Sequence, residues 1–222
     1  MYTLIVGTRE WSSWSLRPFL ALTATGAPFT TEVIRLRVRE SPTTRETILA
    51  HSPSGRVPVL KIAEDGKILT VWDSLAICET LAERHPQARL WPADPAIRAV
   101  ARSHACEMHS GFPDVRDQLT MMFTKKLPPP ELRAETKMQI ARILAAWEGA
   151  LALYASKENE GDFLFGGFSI ADCMYAPVVS RFETYGVGVP LRVRTYMDRM
   201  LALPGMREWR KGAQEDVAAG IA

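Results

Sequence analysis

The chain lacks any apolar run approaching the ~18–20 residues that a membrane-spanning helix needs, so no membrane partner is expected. It is poor in cysteine. Cys78, Cys106 and Cys173 are odd in number, far apart and outside any metal-ligand spacing. No metal centre is expected from them, and buried reduced thiols suited to a reducing cytoplasm are the reading. Charge of one sign is missing too. The formal net charge is +2, and residues 1–85 carry ten Lys and Arg against nine Asp and Glu. A nucleic-acid binder shows a basic stripe or a strong charge asymmetry, so no nucleic-acid partner is expected. The start, Met1-Tyr2-Thr3-Leu4, has no basic segment followed by a long apolar one, and no signal peptide is expected. What remains is an ordinary globular profile: 222 residues, 47% hydrophobic and 23% charged. That length suits one large domain or two small ones with a sizeable core.

The two parts of the chain differ in texture. Residues 1–85 alternate strand and helix signals. Tyr2–Val6 is a β-branched and aromatic run, and Trp14–Ala24 has helical apolar spacing ending at Gly26. Thr31–Leu36 reads as a second strand. Val57–Ile62 and Lys67–Val71 flank the turn sequence Glu64-Asp65-Gly66 and should pair antiparallel. Ser74–Arg84 reads as a helix. Residues 86–95, with Pro86, Pro92 and Pro95, read as a linker. Residues 96–222 read as all-helical, with periodic stretches at Ala96–Leu119, Glu131–Lys157, Ile170–Tyr185 and Arg192–Leu203. Ala213–Ala222 reads as a fraying tail.

Four short motifs carry possible chemistry. Ser12-Ser13-Trp14-Ser15 opens a helix, where the serines either cap backbone N–H groups or offer hydroxyls to a ligand. In Arg56-Val57-Pro58, proline at a strand start is either an ordinary trans edge residue or a cis bond presenting the Val57 backbone to an extended peptide. Asp73-Ser74 is first an N-cap, and second a pair that can hold a ligand ammonium and carboxylate. Ser169-Ile170-Ala171-Asp172 has capping-box spacing, with Asp in place of Glu. His104, Met108, Phe112 and Val115 share one helical face, readable as core or as a pocket wall, with His109 beside it.

The order strand–helix–strand–Val-Pro-strand–strand–Asp-Ser-helix, followed by an all-helical part, resembles the glutathione transferase family over essentially the whole chain. The resemblance implies an α/β thioredoxin-like N-terminal domain with a mixed four-stranded sheet and an all-α helical-bundle C-terminal domain. It implies glutathione as co-substrate, a small hydrophobic electrophile as second substrate in a detoxifying conjugation, a homodimer, and no metal. Ser169 and Asp172 are similar to the family's structural capping motif.

Ser12-Ser13-Trp14-Ser15-Leu16-Arg17 is similar to the zeta-class signature of two serines and a cysteine followed by an arginine, except that Trp14 stands at the cysteine position. The resemblance implies Ser12 as the catalytic hydroxyl that favours the glutathione thiolate. Ser13, Arg56, Val57, Pro58, Asp73 and Ser74 are implied as glutathione-binding, and Trp14, Met108 and Phe112 as the electrophile pocket between the domains. An arginine that holds the organic acid in zeta-type isomerases corresponds to Thr184 here, with Arg181 one turn away, so substrate identity is not carried over; a zeta-like cis–trans isomerase is the alternative reading. A thiol–disulfide oxidoreductase needs a cysteine within Ser12–Ser15, and there is none. A non-catalytic binding protein on the same fold would be favoured by loss of Ser12, Ser74 or the Val-Pro turn, all of which are present.

Overall fold

A computed structural model describes residues 1–36, 43–154 and 163–222. Its single described sheet has the strand order β2-β1-β3-β4, from β1 (Tyr2–Gly7), β2 (Phe29–Ile34), β3 (Val59–Glu64) and β4 (Lys67–Trp72). β1 runs parallel to β2 and antiparallel to β3, with Leu4 opposite both Thr31 and Leu60. β3 and β4 form a hairpin closed by Asp65-Gly66. Both turn residues have positive φ, 48° and 71°, the geometry whose twist suits a two-residue hairpin.

Nine α-helices are described: α1 (Ser13–Thr25), α2 (Thr43–Leu49), α3 (Ser74–Arg84), α4 (Pro95–Ser110), α5 (Pro113–Gln118), α6 (Ala134–Leu153), α7 (Ile170–Tyr185), α8 (Leu191–Ala202) and α9 (Pro204–Ala218). Gly26 ends α1 in the left-handed conformation, its N–H donating to the Thr23 carbonyl. Within α1, Pro18 lacks the N–H that would bond the Trp14 carbonyl one turn back. One hydrophobic core runs from Leu4 and Leu60 of the sheet through Leu16 and Leu20 of α1 to Trp147, Val178 and Trp209 of the helical part. α1 is the shared wall of the two halves, packed on α3 and on α7.

Several sequence expectations need correction. The periodic stretch Ala96–Leu119 is two helices, because Gly111 is extended and Phe112 takes φ 59°, after which Pro113 starts α5. The linker is anchored: Leu90 and Trp91 are buried, and the Leu90 carbonyl accepts the Ile170 N–H at 2.8 Å. Short helix α2 had no counterpart in the sequence reading. The chain end does not fray, since α9 continues to Ala218 and Asp216 is buried against Arg9. β2 begins at Phe29 and ends at Ile34, two residues earlier than Thr31–Leu36 at each end. Residues 155–157, at the end of the expected Glu131–Lys157 helix, lie outside the described residues.

Ser169 and Asp172 form the capping box of α7. The Asp172 carboxylate accepts the Ser169 N–H at 2.8 Å, the Ser169 hydroxyl at 3.0 Å and the Leu164 N–H at 3.2 Å. Those bonds favour its charge, but complete burial outweighs them and pushes the carboxyl up to about 6.

Candidate glutathione site

A cleft of about 880 Å³ opens where α1, α3, the loop before β3 and the end of α4 meet. Trp14, Arg56, Val57, Pro58, Asp73 and Ser74, all singled out in the sequence, line it together with His109, Trp72 and Leu36. A second cavity, about 600 Å³, is walled by Trp91, Phe163 and Phe168 and holds none of those motif residues but Ser169.

α3 supplies the polar end of the cleft. Its N-cap Asp73 accepts the Leu75 N–H at 2.9 Å and holds φ 73°, a region that costs a non-glycine residue about 1–3 kcal/mol. Asp73 also faces His109 across the domain boundary, with Nε2 3.4 Å from Oδ2. Ser74 is 1% exposed, and its hydroxyl has no hydrogen-bond partner among the described residues. An orphaned buried hydroxyl costs about 1–3 kcal/mol, so at a helix N-terminus it marks a place for an anionic acceptor. The residues present therefore fit a ligand carboxylate. Across the cleft the Val57–Pro58 bond is cis, the second of the two forms left open by the sequence, and Arg56 is exposed beside it.

Trp14 forms the floor between the two domains. The Arg17 guanidinium lies 4.2 Å from its ring centroid, that of Arg116 lies 4.7 Å away, and His109 meets it edge-on at 5.2 Å. Arg116 is satisfied by the carbonyls of Met108, His109 and Gly111 at the end of α4. Arg17 is 1% exposed, and its Nε and Nη1 find no hydrogen-bond partner among the described residues. Burial, and next the Arg116 charge, bring Arg17 down to about 9. Burial also lowers the His109 imidazole, opposed by the Asp73 carboxylate. Sequence reasoning named Arg17 only as part of the helix-opening signature, gave it no role, and missed Arg116; the Trp14–Arg17 spacing of three on a helix was the available signal for their stacking.

Ser12 and Ser13 start α1 and are 5% and 8% exposed, and neither is among the residues lining the cleft. The Ser12 hydroxyl does not cap the helix; it donates to Ser15 Oγ. Met108 and Phe112 are not brought to the cleft. They are 1% and 5% exposed and belong to the core: Met108 sits on the buried face of α4 with Ala101 and Ala105, and Phe112 follows the extended Gly111 in a left-handed turn. Thr184 and Arg181 are buried as well, donating to the Met122 carbonyl and to the Arg116 and Leu119 carbonyls respectively. Buried Cys78 and Cys173 have thiols raised by desolvation and are not nucleophiles. No helix among the described residues is long and apolar enough to cross a membrane.

Comparison with known proteins agrees with this geometry. Residues 11–84 match the glutathione S-transferase N-terminal domain, and residues 130–212 match the glutathione S-transferase C-terminal domain. The chain is 28% identical to a maleylacetoacetate isomerase of Pseudomonas aeruginosa, covering 95% of this chain and 96% of that protein. It is 29% identical to the maleylacetoacetate isomerase of Rattus norvegicus, covering 96% and 94%. The crystal structure of maleylacetoacetate isomerase from Anaeromyxobacter dehalogenans, with glutathione bound in its active site, superposes with a TM-score of 0.69 at 28% identity, covering 97% of this chain and 98% of that one. With both domain profiles matched and the mixed sheet and helical half in their expected order, the chain belongs to the glutathione S-transferase family.

Proposed function

We propose that this protein is a glutathione-dependent enzyme that acts on a small electrophilic organic substrate. The observation that carries the reading is the buried, unpartnered Ser74 hydroxyl at the cleft end of α3. In this reading Ser74 and the α3 N-terminus hold the γ-glutamyl carboxylate, and Asp73 faces the ammonium. The Val57 backbone pairs with the extended peptide, and Arg56 meets the glycyl carboxylate. Ser13 supports the γ-glutamyl end. Ser12 turns its O–H from Ser15 to the sulfur, and the α1 N-terminus adds positive partial charge. Bound glutathione gives its thiol proton to solvent and attacks an electrophilic carbon as the thiolate, the displaced electron pair passing to a departing halide, to the oxygen of an opening epoxide or into the conjugated carbonyl of a maleyl compound. Trp14 walls the electrophile side.

Two outcomes share this chemistry. In conjugation to a small hydrophobic electrophile the carbon–sulfur bond persists. In a zeta-like cis–trans isomerisation it breaks again and glutathione is returned. The second is supported by the near full-length likeness to proteins named maleylacetoacetate isomerase. The test is calorimetric titration with glutathione, then turnover of aryl halides, epoxides and maleyl compounds followed by mass spectrometry. Glutathione consumed one-for-one supports conjugation, and isomerised product with glutathione unconsumed supports isomerisation. Binding without turnover of any compound would leave a non-catalytic binding protein, and absence of binding would overturn the reading.

A further inference from the structure

We propose that the half-buried Arg9–Asp216 pair is a positioning device for Ser12, through which helix α9 fixes the loop between β1 and α1. The inference rests on Ser12 being the thiolate-directed hydroxyl. Asp216 is 1% exposed and sits near the end of α9. It accepts the Arg9 backbone N–H at 2.7 Å, Arg9 Nε at 3.1 Å and Arg9 Nη2 at 2.5 Å. Two turns further up α9, Trp209 Nε1 donates to the Arg9 carbonyl at 2.9 Å. Arg9 is therefore held by its N–H, its carbonyl and its side chain at once.

Gly212 lies between those two anchors. A Cβ there would stand 2.0 Å from Arg9 Nη1 and 2.5 Å from Arg9 Cζ. A glycine weakens a helix interior, and here it gives the arginine room to lie across α9. The neighbours of Arg9 are held as well. The Thr8 hydroxyl contacts the Ile221 carbonyl at 3.4 Å, while Glu10 accepts the Thr124 N–H at 3.0 Å and its hydroxyl at 3.1 Å.

Ser12 hangs from this clamped segment. The Thr8 carbonyl accepts both the Trp11 N–H at 3.1 Å and the Ser12 N–H at 2.9 Å. Arg9, Gly212 and Asp216 do not line the cleft, so their influence on chemistry must pass through the loop. A displacement of about 1 Å in a reacting group is enough to cost about a hundred-fold in rate.

The test uses the full chain with Gly212→Ala and Asp216→Asn, comparing melting temperature, glutathione KM, kcat and the bound thiol pKa read from thiolate absorbance against pH. Wild-type protein must first bind glutathione and lower its thiol pKa; failure there overturns the parent reading rather than the clamp. Both variants should raise the bound thiol pKa and cut kcat about ten- to a hundred-fold, with KM little changed because Ser74 and Arg56 are untouched. Wild-type kcat and thiol pKa in the variants, whatever their melting temperature, would overturn the proposal and leave a purely structural ion pair. Should both variants unfold, Arg9→Lys, which keeps the charge but gives up the Nε and Nη2 bonds to Asp216, must shift the thiol pKa in the same direction. No shift there overturns the proposal equally.

Discussion

The hydroxyl of Ser12 donates to that of Ser15 at 2.7 Å, and the same Ser15 oxygen accepts the Gly7 N–H at 3.2 Å. The proton that the proposed chemistry needs is therefore held in the protein's own network until a stronger acceptor arrives. A thiolate is such an acceptor, because a hydrogen bond to an ionised partner is roughly twice as strong as a neutral one. Ser12→Ala should raise the bound thiol pKa and slow kcat by roughly ten- to a hundred-fold, the equivalent of ~1.5–3 kcal/mol. Ser13→Ala should do so less. Ser15→Ala frees the Ser12 proton and should lower the thiol pKa. Thiolate absorbance against pH checks all three, and a shift produced by Ser13→Ala alone would transfer the role to Ser13.

Ser74→Ala should raise the glutathione KM and leave kcat nearly unchanged. The hydroxyl holds a remote carboxylate equally in ground and transition states, so its loss is a loss of uniform binding. Steady-state kinetics decide it: an unchanged KM removes Ser74 from the site.

Arg17 should separate stability from chemistry. It is a buried cation with two N–H-bearing atoms unpartnered among the described residues. Replacement of such a group by an apolar side chain of similar length is often neutral or stabilising, by about 1–4 kcal/mol. Arg17→Met is expected to keep or raise the melting temperature while raising the bound thiol pKa, as positive charge is withdrawn from beside Trp14. A clear fall in melting temperature would instead make stacking on Trp14 the main contribution of Arg17.

Asp172 gives a pH signature. Burial raises its folded-state carboxyl to about 6, above its unfolded value. The folded state therefore binds the extra proton, and the stability this lends is complete below about pH 4 and lost as pH rises through 6. The change is about 3 kcal/mol. Asp172→Asn cannot titrate, so urea melts at pH 4.5, 5.5 and 7 should show the wild-type advantage over the variant shrinking across that window. An advantage that grows with pH would mean that the N–H donors outweigh burial. Asp172→Ala, which loses the capping bonds outright, should cost at least ~0.5–2 kcal/mol and leave glutathione affinity intact in the folded fraction.

A homodimer is expected from the family resemblance, and the outer strand β4 carries exposed apolar side chains that a partner could cover. β4 is an outer strand, and Ile68, Leu69 and Trp72 on it are 66%, 49% and 44% exposed. Exposed apolar side chains on an unpaired strand favour pairing with a second copy. Light scattering at micromolar concentration should give twice the 24.8 kDa chain mass, and Ile68→Glu should reduce it. A monomeric wild type would refute the expectation.

Some of this was legible because it is local. The start of α7 followed from Ser169 and Asp172, and the β3–β4 hairpin from Asp65-Gly66, since caps and turns are settled by residues a few positions apart. Trp14, Val57 and Ser74 at the cleft were readable for the same reason: each opens an element, and openings expose backbone groups. The reading failed where distance along the chain was large. A 3.6-residue periodicity runs through Gly111 without marking the break there, and it left open whether Met108 and Phe112 face core or pocket. The tail composition of Ala213–Ala222 says nothing of Arg9, more than two hundred residues upstream, which buries Asp216. Those placements, with the His109–Asp73 contact and the two guanidiniums over Trp14, are long-range pairings decided by packing of the helical half on α1. Spacing along a sequence fixes which face a side chain occupies, and only the tertiary fold fixes what that face meets.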